Sequence, residues 1–550
     1  MTQTTGTRST ARAASRSGGR RMQSVPAGGQ DGGRRHVGVL IIGSGFAGLG
    51  TAIRLAKDGR QDFLVIDRGS EVGGTWRDNT YPGAACDVPS HLYSYSFELN
   101  PNWSRSFSPQ PEIQDYLRDT ARKYGVLDKH LFDTEVTLAR WDAASDQWLV
   151  DTTSGDFSAD VLVAAVGALC EPALPNIKGI ESFRGEIFHS ARWNHEANLA
   201  GKRVALVGTG ASAIQIGPAI ADRVGHLDVY QRTAPWVMPR HDRAYPSVEK
   251  FAYKHVPFLQ RVAREAIYWG RESYVLGFAF WPKMLLAAQK IAERNIAKAI
   301  SDPELRRKVT PNWQIGCKRI LISNDWYPML AKQHVDLVTD GIAEIREDAI
   351  VSNDGKVREV DAIIVATGFH VTDSPTYEHV IGADGRSLAS VWDEQGQQAY
   401  KGATVAGFPN MFFVIGPNTG LGHSSMVYMA ESHINYVASA LREMDRHGLA
   451  TVEVRADKQR EYNEKLQKHM RQTIWTTGGC SSWYLDKHGN NTTLWPSFTF
   501  VFRQLTRTFD LAAYRTTARS DRTIAEWREM APSGAKQRAT EARNAPLARK

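Results

Sequence analysis

The sequence predicts an α/β fold with two Rossmann-like dinucleotide-binding domains, the second inserted in the first and carrying a helical insert. Two repeats predict it. A complete strand, glycine turn, helix and strand occur twice, and so does a short apolar strand ending in glycine. At 550 residues the chain exceeds the roughly 250–300 at which single cores stop growing, so more than one domain is expected.

The first unit opens with the buried-strand run His36–Ile42 and the turn Gly43-Ser-Gly45-Phe46-Ala-Gly48. A helical stretch runs to about Lys57, and a second strand over 63–66 ends at Asp67, 24 residues after the first glycine. Gly43 permits the tight turn, Gly45 lets backbone N–H groups approach a pyrophosphate, and Gly48 allows close helix–strand packing. Asp67 stands where an acid accepts hydrogen bonds from an adenosine ribose.

The second unit has a strand over 202–207 and the turn Gly208-Thr209-Gly210-Ala211-Ser212-Ala213, opening a helix that includes Gln215. Its next strand ends at Gln231-Arg232-Thr233, again 24 residues on. An acid there would repel a ribose 2′-phosphate, whereas Arg232 can bind it bidentately. The first fold therefore suits FAD and the second NADPH.

The apolar strand Asp160–Gly167 is mirrored by Asp361–Gly368. The first precedes the departure of the chain through Pro172, Pro175 and Gly179, and the second precedes its return. The domains expected are an FAD-binding part over 37–178, an NADP-binding domain over 179–368 with a helical insert at about 240–312, and a second FAD-binding part over 369–515. A basic tail over 1–36 and a basic C-terminal extension over 516–550 flank them.

The formal charge of +8 does not point to nucleic acid, because residues 1–35 carry seven arginines and one acid. That segment is Ser-, Gly- and Arg-rich with almost nothing apolar, and reads as a disordered solvated extension. Its composition resembles an organellar transit peptide, but it lacks the apolar positions of an amphipathic helix and the apolar core of a secretory signal. No run of 18 apolar residues occurs. The nearest, Tyr274–Ala288, is interrupted by Pro282 and Lys283 and reads as a core helix or substrate wall. Cys86, Cys170, Cys317 and Cys480 are far apart without metal-site spacing, so a reduced cytoplasmic protein without disulfides or a metal is expected.

Two further stretches carry a family resemblance. Phe183-Arg-Gly185-Glu-Ile-Phe-His189-Ser-Ala-Arg-Trp193 fits the pattern FxGxxxHxxxW, and Gly73-Gly-Thr75-Trp76 with Tyr81-Pro-Gly83 and Asp87 fits a companion pattern. Over roughly residues 37–510 the chain resembles Baeyer–Villiger monooxygenases, most of all the branch with hydroxyacetophenone monooxygenases. One departure is Asn194, where the family usually has Pro or Asp. The resemblance implies that FAD, reduced by NADPH, takes up O2 as a C4a-peroxide that converts a ketone to an ester or lactone. It implies Arg319 as the catalytic arginine, Asp87 as the acid that positions it beside the flavin, and Lys318 at the 2′-phosphate with Arg232 and Thr233. Phe46, Asp67, Thr75, Trp76, Tyr93, Val136 and Met426 fall at FAD contacts, and Trp483 lies in a segment that closes over NADP and substrate. His189 is given a role in the linker between domains, outside the catalytic set.

Three other classes are weighed. A disulfide reductase would need a cysteine pair shortly after Gly74, and only Cys86 is there. A flavin N- or S-oxygenase, using the protonated C4a-hydroperoxide, shares the cofactor motifs, but Trp193, Asp87 and Arg319 weigh against it. A non-enzymatic flavin-fold protein would be expected to show decayed motifs. The aromatic insert (Tyr268, Trp269, Phe278, Phe280, Trp281) is open to two readings, room for a bulky ketone or ordinary core. Partners are a small-molecule ketone and O2, with no nucleic acid and no membrane span; oligomeric state is open.

Overall fold

A computed structural model describes residues 30–31 and 33–519. Most of the expected tail over 1–36 and of the extension over 516–550 lies outside the described residues. The expected limits shift where they can be seen: residues 34–36 already belong to the first long strand, and 516–518 to the last.

The chain runs through β1 (Arg34–Ile42), α1 (Phe46–Lys57), β2 (Phe63–Ile66), β3 (His130–Leu131), β4 (Val136–Asp142), β5 (Gln147–Thr152) and β6 (Phe157–Ala164). It then forms β7 (Glu186–His189), β8 (Arg203–Val207), α2 (Ala213–Ile220) and β9 (His226–Tyr230). Four helices follow, α3 (Ser247–His255), α4 (Pro257–Glu272), α5 (Leu285–Ala299) and α6 (Pro303–Val309). The remaining elements used below are β10 (Val335–Val338), β11 (Ala362–Val365), β12 (Val380–Ile381), β13 (Met411–Phe413) and α7 (Met426–His447).

Two sheets organise these elements. The larger has the order β12-β4-β5-β6-β1-β2-β3, with β13 parallel to β6 and residues 30–31 paired to β1. The smaller has the order β10-β9-β8-β11-β7 and is parallel throughout. Strands buried on both faces are near-continuously apolar, as in Leu40–Ile41, Val204–Leu206 and Ala362–Val365. Segments from both sides of the 186–365 stretch complete the larger sheet, since β12 and β13 pair with β4 and β6.

The two glycine turns are built alike. Gly43 N–H bonds the Ile66 carbonyl and Ala165 N–H the Ile42 carbonyl; Gly208 N–H bonds the Tyr230 carbonyl and Ala366 N–H the Val207 carbonyl. Gly43 has φ +100° and a Cβ there would lie 2.6 Å from the Ala165 oxygen; Gly208 has φ +120° and its Cβ would lie 2.4 Å from the Ala366 oxygen. The repeated apolar strand therefore supplies the wall against which each turn folds, and only glycine fits either corner.

Candidate active site

Between the two turns lies a cavity of about 1570 Å³, lined from both sheets. On the flavin side it is reached by Gly43, Gly45, Phe46, Asp67, Thr75, Trp76, Asp87, Tyr93, Val136 and Met426. On the nucleotide side it is reached by Gly208, Thr209, Gly210, Ala211, Ser212, Gln215, Arg232, Thr233, Lys318 and Trp483, and Arg319 faces the same space. Two expected contact residues do not face it. Gly48 lies beneath the turn, where a Cβ would come within 1.7 Å of the Gly43 oxygen, and Ala213 is fully buried at the start of α2. Their contribution is packing.

The first turn fits an FAD pyrophosphate. Gly45 precedes α1, and a Cβ there would meet nothing nearer than Gly74 at 3.7 Å, so the backbone is bare toward the cavity. Asp67 closes the far side: one carboxylate oxygen accepts from Ser44 N–H at 2.7 Å, the other from Gly69 N–H and the Arg77 guanidinium at 2.7 Å. The oxygen bonded to Ser44 keeps acceptor capacity for a ribose hydroxyl, while the other already has two donors. Trp76 donates its indole N–H to Tyr93 Oη at 3.1 Å, and the Tyr93 ring packs edge-on to Phe46 at 5.2 Å. The 22-residue helix α7 starts at the cavity with Met426, capped by Ser425 Oγ accepting from Val427 N–H. Its N-terminus, the positive end of the helix dipole, opens on the cavity and could favour an anionic ligand there.

The second turn fits a phosphorylated nucleotide. A Cβ on Gly210 would meet nothing within 4 Å, and Thr209 donates its hydroxyl to the Thr233 carbonyl at 3.2 Å. Burial pulls the Lys318 ammonium below its ordinary pKa, and the nearby positive charge of Arg232 adds to the fall. Among the described residues no carboxylate pairs with either cation, so the two could together hold a divalent anion. Lys318 also lies over the Trp313 ring, 5.5 Å from its centroid. Gln215 is engaged across the two halves, accepting from Tyr81 Oη at 3.1 Å and donating to the Ala85 carbonyl at 2.9 Å.

Arg319 and Asp87 meet between the turns although 232 residues separate them. Arg319 donates from Nε and Nη2 to the same Asp87 oxygen, at 2.9 and 2.7 Å, and from Nη1 to the Leu421 carbonyl at 3.0 Å. Burial alone would raise the Asp87 pKa, but the charge and hydrogen bonds of Arg319 outweigh it and hold the carboxyl below the usual range. In turn the Asp87 charge raises Arg319 above its ordinary value. Both side chains open on the cavity. Tyr484 is buried beside them, its phenol pushed up to about 12 chiefly by burial.

Several features escaped the sequence. The expectation of no disulfide is corrected: Cys317 and Cys480 are bonded, with Cα atoms 6.1 Å apart at a sequence separation of 163. Only the return of the chain puts the two together, which spacing does not show. Cys86 and Cys170 are free. The bond ties the Lys318–Arg319 segment to the one carrying Trp483 and Tyr484, whose rings meet edge-on with centroids 4.5 Å apart. Arg271 of α4 is a second cation by the pair, its Nη2 3.5 Å from the Asp87 carbonyl. No motif marked it. His189 lies at the end of the edge strand β7, buried, with Nδ1 accepting from Ala191 N–H at 3.1 Å. The reading of the aromatic insert also changes. Tyr268 and Phe278 are buried, but Trp269, Phe280 and Trp281 are exposed and line neither core nor cavity; the same holds for Met284 and Leu286, so the 274–288 run is only partly core.

Two dinucleotide cradles facing one cavity, with a fixed arginine–aspartate pair between them, define a flavoprotein oxidoreductase of the two-dinucleotide-fold class. Comparison with known proteins agrees. The flavin-binding monooxygenase-like family matches residues 34–275. A Baeyer–Villiger monooxygenase of Streptomyces coelicolor is 50% identical over 482 residues, 87% of this chain and 92% of the relative. One from Pseudomonas aeruginosa is 50% identical over 485 residues, 88% and 92%. Among solved structures, an oxidised steroid monooxygenase bound to NADP superposes with a TM-score of 0.76 at 29% identity, covering 88% of this chain and all of that one. The chain belongs to the Baeyer–Villiger monooxygenase family, the FAD- and NADPH-dependent flavoprotein monooxygenases. Among the described residues no helix is long and apolar enough to cross a membrane.

Proposed function

We propose that this chain oxygenates a ketone at the Arg319–Asp87 pair. FAD, held by the first cradle, would supply the redox chemistry by which the hydride of NADPH and a proton reduce O2, one oxygen atom entering the ketone and the other leaving as water. The chain's own residues supply position and charge. Asp87 takes two of the five guanidinium N–H groups of Arg319 and the Leu421 carbonyl a third, which fixes the plane of the fork. The remaining two N–H groups, one on Nη1 and one on Nη2, are available to negative charge developing on the substrate oxygen. Asp87 stays ionised, so it holds Arg319 without offering a proton. Lys318, Arg232 and Thr233 hold the 2′-phosphate of NADPH, and the boundaries 37–178, 179–368 and 369–515 divide flavin-binding from nucleotide-binding parts.

The fixed cation between the two cradles carries this reading, and it is also what disfavours oxygenation of amines or sulfides, which needs a protonated oxidant and no anion-holding group. A cytoplasmic place of action belongs to this proposal and rests on the need for NADPH. The test is a panel of linear, cyclic and aryl ketones with NADPH and O2. An ester or lactone formed in proportion to ketone-dependent NADPH oxidation supports the assignment. Sulfoxide or N-oxide formation with no ester from any ketone overturns it.

A further inference from the structure

Helix α4 is amphipathic in the wrong sense for a helix that faces water. The residues it buries are Gln260, Arg264, Tyr268 and Glu272, a polar stripe at four-residue spacing. Each is satisfied inside the protein. Gln260 donates to the Asn100 carbonyl, Arg264 to the carbonyls of His91 and Ser94, Tyr268 pairs with Thr499 Oγ1, and Glu272 accepts from Thr499 N–H and its hydroxyl. Its apolar residues Phe258, Val262 and Trp269 consequently point away from the protein. A water-facing surface helix normally has the opposite arrangement.

The exposed face continues beyond the helix. The Trp269 ring packs on Phe500 at 5.8 Å, Phe500 on Phe498 at 5.1 Å, Phe498 on Phe280 at 5.6 Å, and Phe280 lies 6.5 Å from Trp281. Trp269, Phe500, Phe280 and Trp281 are each between 41% and 60% exposed. Single exposed apolar side chains are ordinary, but a connected strip of this kind marks an interaction surface.

Charge decides between occupants. The same insert exposes Lys254, Arg261, Lys283, Lys290, Arg294 and Lys298, none of them in an ion pair among the described residues, against the exposed carboxylates Glu265 and Glu293. A second copy would bring the same positive excess against itself. Residues 1–29 carry five arginines and no acid, so they would also be repelled. An insert that exposes both a connected aromatic strip and an excess of lysines and arginines matches the headgroup boundary of an anionic bilayer, where rings sit at the interface and cations meet lipid phosphates. We propose that the α3–α5 insert docks this enzyme on the surface of a membrane containing anionic phospholipid, without spanning it. Gly316, two residues before Lys318, is packed against Leu285 and Phe278 of the insert, so the docked element abuts the segment that carries Arg319.

The test is co-sedimentation of the FAD-loaded enzyme with vesicles of phosphatidylcholine alone or with roughly one-third phosphatidylglycerol. Two variants are compared, Trp269→Ser/Phe280→Ser/Trp281→Ser and Lys283→Glu/Lys290→Glu/Arg294→Glu. None of these residues lines the cavity, so FAD content and NADPH oxidation in solution serve as the check on folding. The parent should bind the anionic vesicles at least tenfold more tightly than the neutral ones and release in high salt, and each variant should lose at least tenfold. Absence of binding by the parent, or undiminished binding by the aromatic variant, overturns the proposal. So does a parent dimer that ignores vesicles and becomes monomeric in the aromatic variant, which would make the face a contact between copies.

Discussion

Replacing Arg319 by alanine removes the two N–H groups left for substrate and the partner that keeps Asp87 ionised. One donor aimed at developing negative charge contributes about 10²–10³ in rate, so loss of the fork should lower ester formation by about 10³-fold or more. Hydride transfer to the flavin needs no such donor, and reduction by NADPH should persist, more slowly at most. Reducing equivalents should then leave as hydrogen peroxide. The variant also strands the Asp87 carboxylate without its cation, a loss of about 3 kcal/mol at most because both side chains open on the cavity. The double variant Asp87→Ala/Arg319→Ala should regain that stability without regaining ester, which separates folding from chemistry. Arg319→Lys should restore little, since an ammonium cannot both bind Asp87 and present a planar fork. Stopped-flow reduction, peroxide assay and product analysis on one accepted ketone decide the matter. Ester from Arg319→Ala at close to the parent rate would refute the reasoning.

Other outcomes follow from the same geometry. Arg232→Ala should raise KM for NADPH by about tenfold and leave NADH nearly unaffected, because only NADPH carries the phosphate; equal losses with both coenzymes would remove Arg232 from that site. Gly45→Val should give protein without bound flavin, since a side chain there enters the space of the pyrophosphate beside Gly74; stoichiometric FAD in the variant counts against the placement. Thiol titration of the denatured, unreduced protein should find two thiols, Cys86 and Cys170, and four after reduction. Cys480→Ser frees the Trp483 segment from the Arg319 segment and should raise KM for NADPH. It should also lower the thermal midpoint, as closure of a loop of this length contributes up to about 5 kcal/mol in the chain-entropy account. An unchanged midpoint and KM would mean the bond holds nothing that the surrounding packing does not already hold.

Much of the site could be read before any coordinates because its parts are local. A glycine turn is determined by φ values and close approaches within a few residues, so Gly43, Gly45, Gly208 and Gly210 reveal two cradles by spacing alone. The absence of an acid before Thr233 distinguishes the two nucleotides for the same reason: one charge sits at a fixed distance along a strand. Even the insertion of one unit in the other shows in the sequence, because the strand walling each turn recurs as a near-copy. The tertiary structure alone decided what depends on distant segments meeting. Asp87 finds Arg319 across 232 residues and Cys317 finds Cys480 across 163, and no periodicity encodes either distance. The helical insert shows the limit most plainly. An apolar stripe such as Phe258, Val262 and Trp269 looks the same in sequence whether it faces a core or the outside, and the direction was settled by where Arg264 and Glu272 found buried hydrogen-bond partners. Amphipathicity fixes that a helix has two faces; only the surrounding chain determines which one is turned inward.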